Sequence, residues 1–125
     1  MLLDTCALLW LAAGGKNLSP NARDRIATAD VLYISAITGF EIAIKNRAGK
    51  LSLPARPREW LSTVLDHHRI AVVPLDLDIC VAATELPLAH RDPCDRFIIA
   101  TARARGWPVV TADPRFHDYG IEVVW

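Results

Sequence analysis

Short apolar runs alternate along the chain with longer segments whose apolar positions recur at helical spacing. The short runs lack the strict polar alternation of a half-exposed strand, which is typical of strands buried on both faces of a parallel sheet. Five strands are predicted in this way, at residues 2–3, 31–34, 70–73, 109–111 and 121–124. Because helical segments separate them, the pattern predicts an α/β fold: a three-layer α/β/α sandwich around a central, mainly parallel sheet.

Capping signals mark several helix boundaries. Ser19-Pro20 and Asp92-Pro93 each place an N-cap residue before a proline at the first helical position. They predict helices over residues 20–29 and 93–105, and the periodicity predicts others over 6–12, 38–47, 58–68 and 76–86. The run Thr38-Gly39-Phe40-Glu41 fits a capping box, so Thr38 is the predicted N-cap of its helix.

Length and composition restrict the kind of protein this is. A chain of 125 residues, 52% of them apolar, is long enough for one core, so we expect residues 1–125 to form a single domain. This apolar content excludes a disordered chain. The 14 basic and 14 acidic residues balance, so the composition does not indicate a globally basic nucleic-acid binder. Any contact with phosphates must therefore be local or pass through metal ions.

The cysteines and the N-terminal apolar stretch indicate a compartment. Cys6, Cys80 and Cys94 show no pairing signature, and we interpret each as a small buried hydrophobe in a reducing cytosol. The apolar run at residues 5–13 follows Asp4 and no basic segment, unlike a signal peptide. The run is also shorter than the ~20 residues that span a bilayer. We therefore expect a cytoplasmic protein without membrane contact.

Four carboxylates occupy positions that a parallel sheet would bring to one edge. They are Asp4 after the first strand, Glu41 in the helix after the second, Asp95 in the first turn of the helix that Asp92 caps, and Asp113 after the fourth strand. Clustered carboxylates are costly to bury unless a cation neutralises them. Hard oxygen ligands suit Mg²⁺ or Mn²⁺, and one or two such ions could activate water for phosphodiester hydrolysis.

Each carboxylate also has a purely structural interpretation, and the spacing alone leaves both open. Asp4 and Asp113 suit turns at strand ends, and Glu41 suits the last position of the capping box. Asp95 would lie in the first turn of its helix, where the helix dipole stabilises a negative charge.

The histidines give a weaker signal. His67 and His68 are adjacent, so they point to different sides of a helix and cannot chelate one ion together. His90 and His117 each stand alone, which is typical of surface or capping histidines.

A local basic segment follows the helix that carries Glu41. It comprises Lys45, Arg47, Lys50, Arg56 and Arg58. The segment could hold a phosphate backbone near the acidic residues, or it could be a solvated helix end whose cations suit the helix dipole. The four tryptophans are dispersed and are interpreted as core or interface residues.

Four stretches of the sequence resemble one known family. LLDTCALLWL, ISAITGFEIAIKNRAGKLSLP, HRDPCDRFIIATA and VVTADPRF resemble, in this order, the motifs of PIN-domain ribonucleases, and more closely those of the VapC toxins of toxin–antitoxin pairs. The resemblance covers essentially the whole chain. It implies an α/β/α fold, Mg²⁺- or Mn²⁺-dependent endonucleolytic cleavage of RNA, and inhibition by a small antitoxin.

The resemblance also implies roles for individual residues. Asp4, Glu41, Asp95 and Asp113 match the four family acids, and are expected to be catalytic and to bind the metal. Thr5 matches the hydroxyl position beside the first acid, and Arg96 is a candidate positioning group. Cys94 departs from the pattern, since an aromatic residue is common there. Implied partners are an RNA substrate, a cognate antitoxin, a second copy in a homodimer, and operator DNA through the antitoxin.

Other classes of α/β protein fit the sequence less well. A receiver-like signalling module would suit the length, with Asp76 after a strand as its phosphoacceptor. Receivers need an acidic pair after the first strand and a lysine near the end, whereas Thr5 follows Asp4 and no lysine follows Lys50. A haloacid-dehalogenase-type phosphatase needs a second Asp where Cys6 stands. A non-catalytic binding module of the same fold remains the alternative to an enzyme.

Overall fold

The computed structural model describes residues 1–88 and 90–125 and shows strands and helices in alternation. The elements are β1 (Leu2–Leu3), α1 (Thr5–Ala12), α2 (Pro20–Thr28), β2 (Leu32–Ser35), α3 (Ala36–Arg47), α4 (Pro57–His68), β3 (Ile70–Val73), α5 (Leu77–Glu85), α6 (Pro93–Arg105), β4 (Val109–Val110), a 3₁₀ helix (Pro114–Tyr119) and β5 (Val123–Val124). All five predicted strands are present, with boundaries within about two residues of those expected.

The strands form one parallel sheet in the order β3-β2-β1-β4-β5. Every strand pairing within the described residues is parallel, and β1 lies between β2 and β4, with Leu3 opposite both Ile34 and Val110. The chain first adds strands on one side of β1 and then on the other, so β1 and β4 flank the point where the strand order reverses. Ligands of such sheets bind beyond the carboxyl ends of the strands at this point.

Helices cover both faces of the sheet, which confirms the three-layer prediction. Alternate strand residues point to opposite faces. Leu3 and Val110 pack with apolar side chains of α1, α2 and α4 on one face. Leu2 and Val109 pack with those of α5, α6 and the 3₁₀ helix on the other. The central strands β1 and β4 are therefore buried on both faces, as the unbroken apolar runs predicted, whereas Ala71 and Val72 of the edge strand β3 are exposed.

The start of α3 differs from the capping-box prediction. The N-cap is Ser35, the last residue of β2, whose hydroxyl accepts a hydrogen bond from the Ile37 N–H at 3.2 Å. Thr38 is fully buried inside the helix, and its hydroxyl lies 3.3 Å from the Thr5 hydroxyl. Because the helix begins directly at the end of the strand, Glu41 lies in its second turn and cannot close a capping box.

Within residues 1–88 and 90–125, no helix combines the length and the apolar character needed to cross a membrane.

Candidate metal centre

A cavity of about 330 Å³ lies at the carboxyl edge of the sheet. Its acidic lining, among the residues described, consists of Asp4, Glu41, Asp92, Asp95 and Asp113, and its cationic lining of Lys45 and Arg115. All four predicted site residues therefore line the same cavity, although they are spread over most of the chain. Trp10 also lines this cavity, so it is more than a core residue.

Asp4 is positioned by the direct passage from β1 into α1. Its Oδ1 accepts a hydrogen bond from the Ala7 N–H at 2.7 Å, which makes Asp4 the N-cap of α1. The carboxyl is only 6% exposed. Its pKa is raised from 3.8 to about 6, mainly by burial; hydrogen bonds from Thr111 and Ala7 oppose this rise, and the charges of Glu41 and Asp113 contribute to it.

Glu41 reaches the cavity from the second turn of α3. Its Oε1 accepts a hydrogen bond from the Thr5 hydroxyl at 2.7 Å, and its Oε2 pairs with Lys45 one turn further along the helix. The hydrogen bond with Glu41 is the main reason that the pKa of Lys45 is raised. Thr5 thus orients Glu41. Thr5 itself stands beside Asp4, at the hydroxyl position that the resemblance implied.

Asp95 occupies the third position of α6, as predicted. Asp92 caps this helix, and its Oδ1 accepts a hydrogen bond from the Asp95 N–H at 3.2 Å. The pKa of the Asp95 carboxyl is raised to about 7, mainly by burial and in smaller part by the charges of Asp92, Asp4, Glu41 and Asp113. The helix dipole stabilises a negative charge at this position, so burial, together with the neighbouring carboxylates, outweighs that local benefit.

Asp113 has the opposite electrostatic surroundings. Asp113 is the N-cap of the 3₁₀ helix. Arg115 donates hydrogen bonds to both of its oxygens, from Nη2 to Oδ2 at 2.7 Å and from Nε to Oδ1 at 3.0 Å. The side-chain hydrogen bond from Arg115 is the main reason that the pKa of Asp113 is lowered. This carboxylate is therefore ionised at neutral pH in its present surroundings.

His90 belongs to this site, contrary to its interpretation as an isolated surface or capping residue. Its ring is fully buried, and Nε2 lies 2.8 Å from Asp95 Oδ2 and 3.1 Å from Asp113 Oδ2. Candidate ligand atoms of these three residues all lie within 4.8 Å of one another. The signal available in the sequence was only the position of His90, two residues before the cap of α6.

Arg96 has a structural role, so its interpretation as a group that positions substrate is wrong. The guanidinium is buried and donates hydrogen bonds only to backbone carbonyls within the described residues. These carbonyls belong to Ala83, Thr84, Leu86, Pro87 and His90. Arg96 thereby holds the end of α5 and the following loop against α6, and no donor faces the cavity.

Two further expectations need revision. None of the three cysteines is fully buried as expected: Cys6 is exposed and lines the acidic cavity, and Cys80 and Cys94 are half-buried. Although the residue as a whole is exposed, partial desolvation of its thiol and the charges of neighbouring carboxylates raise the pKa of Cys6 to about 11, which keeps it a neutral thiol. Within the basic segment, Lys45 lines the cavity, whereas Arg47, Lys50, Arg56 and Arg58 are exposed side chains outside that lining.

The donor set fits a hard divalent cation. Carboxylate oxygens from the N-cap of α1, from α3 and α6, and from the turn after β4 surround the cavity. The carboxyl groups of Asp4 and Asp95 resist ionisation because they are buried close to other carboxylates. A divalent cation removes this repulsion, and oxygen-rich sites suit Mg²⁺ and Mn²⁺. The arrangement would hold such a cation at the point where the sheet order reverses.

The fold and the site together define the class of this protein. It is a parallel α/β domain with an acidic, cation-attracting cavity at the point where the strand order reverses. The family model of the PIN domain matches residues 1–122, and the chain belongs to the PIN-domain family.

Relatives with known names or structures agree with this assignment. The chain is 33% identical over 121 residues to ribonuclease VapC22 of Mycobacterium tuberculosis (strain ATCC 25618 / H37Rv), an alignment that covers 95% of this chain and 91% of that protein. The structure of VapBC2 from Rickettsia felis, bound to a DNA fragment from its promoter, superposes with a TM-score of 0.71 at 16% identity, covering 98% of this chain and 95% of that one. DNA-bound VapBC from Salmonella typhimurium superposes with a TM-score of 0.68 at 24% identity, covering 98% and 94%. These structures share the fold of this chain.

Proposed function

We propose that this protein is a metal-dependent endoribonuclease and the toxin component of a toxin–antitoxin pair, with residues 1–125 acting as one nuclease domain. One observation supports this above the others: Asp4, Glu41, Asp95 and Asp113 converge on one cavity in a chain that is 33% identical to a ribonuclease. We expect it to act in the cytoplasm, where RNA is available.

The four carboxylates would hold one or two Mg²⁺ or Mn²⁺ ions. A bound ion would supply Lewis-acid stabilisation of the charge that develops on the phosphate, and would favour ionisation of the attacking water. Thr5 orients Glu41, and the N-cap geometry of Asp4 and Asp92 fixes the carboxylates relative to the helices. Lys45 at the cavity is the member of the basic segment best placed to meet the RNA backbone.

The partners follow from the relatives. Two structures with the same fold are VapBC complexes bound to DNA, so we propose that a cognate antitoxin blocks this cavity and carries the complex to operator DNA. We also propose a homodimer. Exposed apolar side chains support it on α3 (Phe40 and Ile44) and on α5 (Leu77 and Val81).

Cleavage of a mixed cellular RNA pool tests the nuclease. Purified protein is supplied with Mg²⁺ or Mn²⁺, with an EDTA control, and compared with Asp4→Asn, Asp95→Asn and the matched control Asp24→Asn. Asp24 is exposed on α2 and lies outside the cavity lining. We expect cutting by the wild type and Asp24→Asn, and its loss with EDTA or either cavity variant.

The same experiment separates the nuclease from the alternative, a non-catalytic binding or signalling module. A folded, metal-binding wild type that cuts no RNA would favour the module. The receiver-like version has little structural support, because Asp76 serves as the N-cap of α5 and accepts a hydrogen bond from the Ile79 N–H at 2.8 Å.

A further inference from the structure

The two ring nitrogens of His90 have different partners. Nδ1 lies 3.2 Å from the backbone nitrogen of Asp92 and accepts its N–H. Nε2 faces Oδ2 of Asp95 at 2.8 Å and Oδ2 of Asp113 at 3.1 Å. The ring therefore stands between a helix cap and two carboxylates of the acidic cavity.

These partners fix the tautomer. A backbone N–H can only donate, so Nδ1 must present its lone pair, and the ring proton must lie on Nε2. The proton on Nε2 points at the two carboxylates, and this N–H donates both hydrogen bonds. A nitrogen that carries a proton has no lone pair to offer a metal ion.

The surrounding residues hold the ring in place. The His90 N–H donates to the hydroxyl of Tyr119 at 2.7 Å, and the His90 carbonyl accepts from Arg96 Nη1 at 2.9 Å. Phe116 packs its ring against the imidazole in an edge-to-face contact, with centroids 5.7 Å apart. The donor on Nε2 is therefore preorganised by groups that do not themselves face the cavity.

We propose that His90 is a positioning residue: its single Nε2–H ties Asp95 of α6 to Asp113 after β4, setting the spacing of two cation-binding carboxylates without binding the cation. The two carboxylates come from separate elements, so no local geometry fixes their spacing. This inference rests on the proposed metal site and names a residue outside its four acids. Groups that orient metal ligands in this way typically contribute about 10–100-fold to metal affinity.

Two substitutions of His90 test the hydrogen bonds of Nε2 and of Nδ1 separately. The amide nitrogen of His90→Gln reaches the place of Nε2 and can still donate to the carboxylates. The carboxamide of His90→Asn is one atom shorter, so it reaches only the place of Nδ1 and keeps the bond to the Asp92 N–H. Both variants lose the ring contact with Phe116, so the lost packing is common to the pair.

Mn²⁺ affinity of the purified protein is the main measurement, read from the EPR signal of free Mn²⁺, with urea denaturation in EDTA as the measure of folding. We expect His90→Asn to bind Mn²⁺ about 10–100-fold more weakly than the wild type, and His90→Gln to stay within about threefold. Equal losses in both variants, or a larger loss in His90→Gln, would overturn the proposal and leave His90 with a packing or capping role.

A second measurement needs no variant. Pulsed EPR of the Mn²⁺-loaded wild type should show no ¹⁴N coupling of a coordinated imidazole, and such a coupling would make His90 a ligand and refute its positioning role. Failure of the wild type to bind Mn²⁺ would overturn both proposals. Mn²⁺ binding with the expected order of variants, but no RNA cleavage, would refute only the nuclease.

Discussion

Replacement of Asp4 by asparagine measures how much one buried negative charge lowers the free energy of unfolding. The carboxyl is 6% exposed and caps α1 through its bond with the Ala7 N–H. Asparagine has nearly the same shape and is an equally good N-cap, so the cap is expected to survive. What the variant loses is the negative charge, together with the ability to hold a cation.

The magnitude follows from the pKa of Asp4, which burial raises from 3.8 to about 6. Between these values the native state binds more protons than the unfolded state, so the free energy of unfolding of the wild type falls as pH rises. A difference of about two pKa units corresponds to about 3 kcal/mol once both states are ionised. Metal-free Asp4→Asn should therefore be about 3 kcal/mol more stable than the wild type at pH 8, and only about 0.5 kcal/mol more stable at pH 4.

Urea denaturation followed by tryptophan fluorescence measures this difference, in EDTA and at several pH values from 4 to 8. Asp24→Asn serves as the control and should track the wild type throughout. A variant less stable than the wild type at pH 8, or equally more stable at pH 4 and pH 8, would refute the assignment of a costly buried charge. Addition of Mn²⁺ at pH 8 should stabilise the wild type and leave Asp4→Asn nearly unchanged.

Three further predictions concern the metal, the buried arginine and the exposed arginine. Mn²⁺ or Mg²⁺ should raise the thermal midpoint of the wild type more at pH 8 than at pH 5, because Asp4 and Asp95, with pKa values of about 6 and about 7, are ionised at pH 8 and largely protonated at pH 5. Equal shifts of the midpoint in scanning calorimetry would contradict this. Arg96→Leu should lower the free energy of unfolding in urea by about 3 kcal/mol or more, because buried carbonyls lose their donors, whereas the exposed Arg103→Leu should change it little. A loss below about 1 kcal/mol for Arg96→Leu would contradict the role of this side chain. Arg115→Ala should raise the pKa of Asp113 in a ¹³C NMR titration of the carboxyl groups, and an unmoved titration would show that Arg115 does not hold this carboxylate.

Much of the fold could be predicted because its signals are local. Apolar strands without polar alternation indicated a sheet covered on both faces, and the sheet has helices on both faces. Ser19 and Asp92 cap the helices that they were expected to cap. The meeting of the four acids was also predictable, because parallel strands place all their carboxyl ends at one edge. Their roles as metal ligands stay a prediction.

The start of α3 shows where local signals compete. Ser35 and Thr38 are both good N-cap residues, and the sequence favours the capping box of Thr38 and Glu41. The structure begins the helix at the end of β2, because the Thr38 hydroxyl is buried next to Thr5 of α1. That contact joins residues 33 positions apart, and no pattern within α3 could reveal it.

The sequence by itself determined the alternation of strands and helices, the two-sided core and the carboxylates at the ends of strands, since each depends on a residue and its near neighbours. Only the tertiary structure decided that Arg96 turns inward to the carbonyls around α5 and that His90 stands between Asp95 and Asp113. The physical reason is that a polar side chain takes its role from its hydrogen-bond partners. For these two residues, most of those partners come from segments that folding brings together.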